Sequence, residues 1–110
     1  MTGIKAQATP WQSIEDVVVE RVSVVNCRQL GIMLYGINVK VVNCYGRNAG
    51  SDIIEVLGGQ GGIWNCIVEA DAPSGYGLSV DAGDDMVIAN NIVRTRPGGQ
   101  FSQSGIRTWL

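Results

Sequence analysis

Val22-Ser23-Val24-Val25-Asn26-Cys27 is followed by Val39-Lys40-Val41-Val42-Asn43-Cys44 and then by Gly61-Gly62-Ile63-Trp64-Asn65-Cys66. A more worn copy, Met86-Val87-Ile88-Ala89-Asn90-Asn91, comes after them. Aligning the asparagines sets Asn26, Asn43, Asn65 and Asn90 in one column, at intervals of 17, 22 and 25 residues. A second column runs through GIMLYG from Gly31, DIIEVLGG from Asp52, GLSVDAG from Gly77 and GIRTWL from Gly105. Each repeat thus holds two apolar runs separated by glycine-rich turns, and a period of roughly 20–50 residues marks a repeat architecture.

The alternation in Val22-Ser23-Val24-Val25 and Val39-Lys40-Val41-Val42, rich in β-branched residues, is a strand signal. No helical apolar face follows residue 17, which excludes leucine-rich, ankyrin and TPR-like units, and propeller blades need longer repeats. The expected fold is all-β, a short right-handed parallel β-helix of about four coils over residues 17–110. The hand follows from the irregular period, since left-handed coils keep hexapeptide steps. Equivalent residues of successive coils then stack about 4.8 Å apart. Asn at a corner tolerates the left-handed backbone and can build an amide ladder. The next residue (Cys27, Cys44, Cys66, Asn91) forms a second stack. On this reading the repeated Asn-Cys is scaffold.

Composition narrows the function classes. The 110 residues are 45% hydrophobic and 16% charged, which describes one folded, core-rich domain. The net charge of −2, without a basic run or interleaved aromatics, argues against nucleic acid. No apolar stretch approaches the ~20 residues of a membrane span. MTGIKAQATPWQSIEDV lacks a signal-peptide core, so a cytosolic protein, a mature form or a segment of a longer chain is expected. Three cysteines without Cys-x-x-Cys spacing fit buried free thiols, with no metal or cofactor expected.

Residues 1–16 are expected to form a cap. Thr9 as N-cap, Pro10 at the first helical position and Gln12 beyond it make a capping-box pattern for a short helix. The chain ends on GIRTWL inside an apparent strand, so a homo-oligomer or a larger parent protein is expected to cover Ile106, Trp109 and Leu110.

The cadence of strand, Asn-Asn and Gly-Ile over residues 17–110 resembles the right-handed β-helices of the pectin-lyase-like superfamily, which includes polysaccharide lyases, polygalacturonases and phage tailspikes. The layout is most similar to the polygalacturonases. Gly50-Ser51-Asp52-Ile53-Ile54 stands where that family carries paired aspartates, leaving Asp52. Gly75-Tyr76-Gly77 replaces its Gly-His-Gly, and Gly105-Ile106-Arg107-Thr108 keeps its Arg without the Lys. The resemblance implies a carbohydrate-associated module with an incomplete catalytic set. Asp52 would be its acid or base, and Arg107 the holder of a uronate carboxylate. Glu55 is expected on a different part of the turn. The alternative is a structural, self-associating segment such as a phage spike, a tail fibre or an engineered scaffold.

Connections after the Asn column lengthen along the chain, from YGRNAGS to IVEADAPSGY to IVRTRPGGQFSQS. They are expected to raise a loop wall carrying Tyr45, Arg47, Asp71, Tyr76, Arg94, Arg96 and Phe101, residue types suited to a polysaccharide. Asp81, Asp84 and Asp85 read as turn residues before a calcium cluster. Val56–Gly62 lacks the Lys-Ser/Thr of a phosphate loop and reads as a turn.

Overall fold

The computed structural model describes residues 3–7, 14–81, 83–102 and 104–109. After β1 (Ile4–Gln7), the first turn holds β2 (Val18–Glu20), β3 (Ser23–Cys27) and β4 (Ile32–Ile37). The second holds β5 (Lys40–Val42), β6 (Tyr45–Ala49) and β7 (Asp52–Gly59). The third runs β8 (Gly62–Trp64), β9 (Ile67–Ala70), a short β10 (Pro73–Ser74) and β11 (Tyr76–Asp81). The last runs β12 (Val87–Ala89), β13 (Ile92–Thr95), a short β14 (Gln100–Phe101) and β15 (Ile106–Trp109). Every pairing joins one turn to the next in parallel. The first sheet is β1-β4-β7-β11-β15, the second β2-β5-β8-β12, the third β3-β6-β9-β13. The chain is a parallel β-solenoid of about four turns, all-β, with no helix among the described residues.

Each turn therefore uses these three sheets, not the two apolar runs legible in the sequence, and β10 pairs with β14 in a further two-stranded sheet. The second column holds: Ile32, Ile54, Leu78 and Ile106 stack on the first sheet. The Asn column holds for three members. Arg21, Asn43, Asn65 and Asn90 follow the stacked Glu20, Val42, Trp64 and Ala89, and all four have φ between 54° and 58°. Asn26 belongs one corner further on, above Asn48, because Val25 pairs with Arg47 and Cys27 with Ala49. The true match of Val39–Asn43 is Val17–Arg21, which restores a repeat of 22 residues between Val18, Lys40 and Gly62.

The side-chain ladder likewise forms at other corners. Asn48 Nδ2 donates to Asn26 Oδ1 at 3.1 Å, and Asn38 Nδ2 to Asp16 Oδ1 at 2.7 Å. At Arg21, Asn43 and Asn65 the bond to the next turn comes from the backbone N–H. The Cys stack is Cys44, Cys66 and Asn91, where Cys44 N donates to Cys66 Sγ and Cys66 N to Asn91 Oδ1 at 2.7 Å. Cys27 lies outside it, half-buried in β3, and all three cysteines are free thiols.

The core is three inward columns of aliphatic side chains. Ile32, Ile54 and Leu78 with Leu34 and Val56 line the first sheet, Val41 and Ile63 the second, Val24 and Val68 the third. Full burial contributes about 1.5–3 kcal/mol for each such side chain. On the third sheet Gly46 fills an inward position, because Ile53 Cγ2 would lie 2.2 Å from any Cβ there.

The N-terminal segment is more than a lid. Ile4–Gln7 pairs in register with Ile32–Tyr35 as a further strand of the first sheet. Thr9, Pro10 and Gln12, expected to start a helix, lie outside the described residues. The part of that segment that is described is not helical: Glu15 bridges Ile37, and Asp16 turns the corner at φ 57°. At the other end Ile106 occupies a core column yet is 49% exposed. Leu110 and the side chain of Trp109 lie outside the described residues.

Candidate functional site

On the outer face of the first sheet, the register places Glu55, Ser79 and Arg107 in one cross-strand row, with Asp52 beside Tyr76. Arg107 Nη2 lies 3.1 Å from Asp52 Oδ2, 3.2 Å from Glu55 Oε2 and 3.3 Å from Asp81 Oδ2. Its guanidinium sits 4.3 Å from the centre of the Tyr76 ring, a cation–π contact. The sequence-derived pair Asp52 and Arg107 is thus in direct contact, and Tyr76 joins them.

Glu55 joins as well, although its expected place was elsewhere on the turn. Ile53 and Ile54 are both fully buried, so the in–out alternation breaks between them. That kink returns Asp52 and Glu55 to the same outer face. Asp81, read as a turn residue, is the last residue of β11 and completes the set.

The geometry demands a shared proton. One Nη2 carries two N–H groups and faces three carboxyl oxygens. Burial, then hydrogen bonds from Glu55 to Asp52 and Asp81, push the Glu55 carboxyl up to about 8. Burial also raises Asp52, against the pull of Glu55, Arg107 and Ser79. Asp52 Oδ1 and Asp81 Oδ1 are buried without a hydrogen-bond partner among the described residues. Near neutral pH the cluster holds a protonated Glu55 beside two aspartates, the pairing of unlike acids that acid–base chemistry uses. A hollow of about 300 Å³, lined by Asp81, Asp84, Asp85, Met86 and Thr108, opens beside it.

The remaining candidates share a different surface. Tyr45, Arg47, Arg94, Arg96 and Asp71 do not form a loop wall; they belong to the strands and corner of the third sheet. Arg47, Glu69 and Arg94 are register partners on β6, β9 and β13. Glu69, unnoticed in the sequence, is the hub. Tyr45 Oη donates to its Oε1, and Arg94 Nε and Arg96 Nε donate to its Oε2 at 2.7 and 2.9 Å. The Tyr45 hydroxyl first, then Arg94 and Arg96, hold the Glu69 carboxyl down to about 2. Arg47 Nη1 lies 3.6 Å from Asp71 Oδ2, and Asn48 Nδ2 donates to Asp71 Oδ1 at 2.6 Å. Tyr76 lies on the other sheet, and Phe101 packs against the core. A signal for Glu69 existed: it is the acid at the register position between two arginines.

Among the described residues no group of three or more His, Cys, Asp and Glu side chains is arranged to hold a metal ion. Compared with protein-family models, curated proteins and solved structures, the chain matches none.

Proposed function

We propose that this protein is a carbohydrate-associated β-solenoid, resembling the pectin-lyase-like superfamily, and that the Asp52–Glu55–Asp81–Arg107 face acts on a glycosidic bond. One observation carries the reading. A carboxylic acid held protonated at neutral pH stands within one guanidinium's reach of two further carboxyls, beside a hollow of about 300 Å³.

The roles follow from exposure and distance. Asp52 is 2% exposed, so it positions Arg107 and touches no substrate. Asp81 lines the hollow. The three carboxyl oxygens lie within 3.3 Å of one nitrogen, so every pair is closer than twice that distance. Glu55 is hydrogen-bonded to Asp81 in the free protein, so substrate must part the two carboxyls to reach the spacing of about 5–5.5 Å used by retaining hydrolases. Glu55 gives its proton to the leaving oxygen as the C–O bond breaks and Asp81 bonds to the anomeric carbon. Water then displaces Asp81, giving its proton to Glu55. Three carboxyl groups around one guanidinium suit sugar hydroxyls over a uronate carboxylate.

The test is release of reducing ends from a panel of neutral and acidic polysaccharides. Activity that falls about 100-fold or more in Glu55→Gln supports the reading. No new ends from any polymer, or full activity in Glu55→Gln, overturns it. A second reading, self-association, is favoured by the half-exposed Ile106, whose column partners Ile32, Ile54 and Leu78 are fully buried. Light scattering that shows only monomer across micromolar concentrations would count against it.

A further inference from the structure

We infer that the outer face of the third sheet binds an oxyanion carried by a sugar polymer, gripped between the terminal guanidinium nitrogens of Arg94 and Arg96. Both arginines are tethered side-on, through Nε, to the same oxygen of Glu69. This arrangement holds the two guanidiniums at one carboxylate oxygen. It also leaves their Nη groups without an acceptor among the described residues, on side chains 44% and 52% exposed. Guanidinium forks held in place lose little freedom when they take a carboxylate or sulfate, which they contact in bidentate fashion.

Charge agrees with this assignment. Arg47, Arg94 and Arg96 face Glu69 and Asp71, so the patch carries one positive charge in excess on a chain whose net charge is −2. Glu69 is a positioning residue: at 5% exposure it is too buried to meet a ligand, and it holds the guanidiniums from beneath. Val25, at the far end of the row that holds Arg47, Glu69 and Arg94, is 42% exposed, and Ile92, in the row of Tyr45, is 49% exposed, apolar surface that the C–H face of a sugar ring can cover. Tyr45, the aromatic of the patch, spends its hydroxyl on Glu69. A nucleic-acid surface would need several free stacking rings, which favours the sugar polymer.

The choice of a sugar carrier rests on the carbohydrate reading above, whereas the anion grip does not. Affinity electrophoresis through gels containing polygalacturonate, dextran sulfate, neutral dextran or single-stranded oligothymidine separates these points. Retardation by polygalacturonate or dextran sulfate, abolished by high salt and absent with neutral dextran, is the expected result. Which of the two retards more identifies carboxylate or sulfate as the ligand. Arg94→Ala with Arg96→Ala should weaken it about tenfold or more. Because that variant strips a buried carboxylate of its partners, Arg94→Lys with Arg96→Lys is the control. It keeps charge against Glu69 but replaces each planar fork with a compact ammonium that cannot grip an oxyanion in bidentate fashion, and should weaken binding while staying folded. Retardation should persist in Glu55→Gln, which keeps this test apart from failure of the catalytic reading. No retardation in either acidic gel, unchanged retardation in both double variants, or equal retardation by oligothymidine would overturn the proposal.

Discussion

The two outer faces of the solenoid use the same ingredients in opposite ratios. On the first sheet three carboxyls share one guanidinium; on the third, one carboxyl takes two guanidiniums and a phenol. Both Glu55 and Glu69 are largely shielded from water, yet one carboxyl rises to about 8 and the other falls to about 2. Burial alone therefore does not set the protonation state. Burial raises Glu55 first, and its hydrogen bonds to Asp52 and Asp81 raise it further, whereas at Glu69 three donors outweigh burial. The first face is built to hold a proton, the second to hold cations in place.

The largest effect should come from removing the shared cation. Arg107→Met leaves Asp52, Glu55 and Asp81 without their common partner, and losing one side of a buried ion pair costs about 3–5 kcal/mol. Urea unfolding at pH 7 should show that loss, and lowering the pH toward 4 should recover part of it as Asp52, raised by burial, protonates. A loss that is equal at both pH values would mean the carboxyls do not depend on Arg107.

Next in size is the pH dependence of the native protein. A carboxyl raised from 4.5 to about 8 stays protonated when folded while its unfolded counterpart ionises. Stability should therefore fall as pH climbs from about 4.5 to 8, by at most about 1.4 kcal/mol per pH unit for one such group. Glu69, lowered to about 2, acts in the other direction. Its contribution is full above about 4.5 and lost as pH drops toward 2. Glu55→Gln should flatten the alkaline arm and leave the acid arm intact.

The smallest effect is local. Tyr45 ionises above its ordinary range because it donates to Glu69 and then meets that carboxylate's charge. Glu69→Gln should bring one of the three tyrosines back toward its ordinary titration in the ultraviolet spectrum. An unchanged curve would show that the Tyr45–Glu69 bond does not govern it.

Much of the coil was legible because its columns repeat. Gly-Ile phrases located the first sheet, and Asn43, Asn65 and Asn90 located a corner that demands positive φ. The misplacement of Asn26 has a physical cause. Two successive corners require the left-handed backbone, so Val22–Cys27 imitates Val39–Cys44 at every position but Ser23 while sitting one corner later. Arg21, with φ 58°, holds the true position without an asparagine to announce it. The third sheet escaped notice because its second-turn strand, β6, places glycine at its inward position. Of the site, Asp52, Tyr76 and Arg107 were singled out through the resemblance to the polygalacturonase layout. Glu55 was hidden by the parity break at Ile53-Ile54, and Glu69 by a register that only the third sheet defines.

A carbon-detected titration of labelled glutamate and aspartate side chains tests the central claim most directly, that burial among other carboxyls holds a proton on the first face while three donors keep Glu69 ionised. The account predicts a Glu55 carboxyl resonance that moves with a midpoint near 8 and a Glu69 resonance still ionised at pH 4. Both carboxyls titrating together near 4.5 would contradict it.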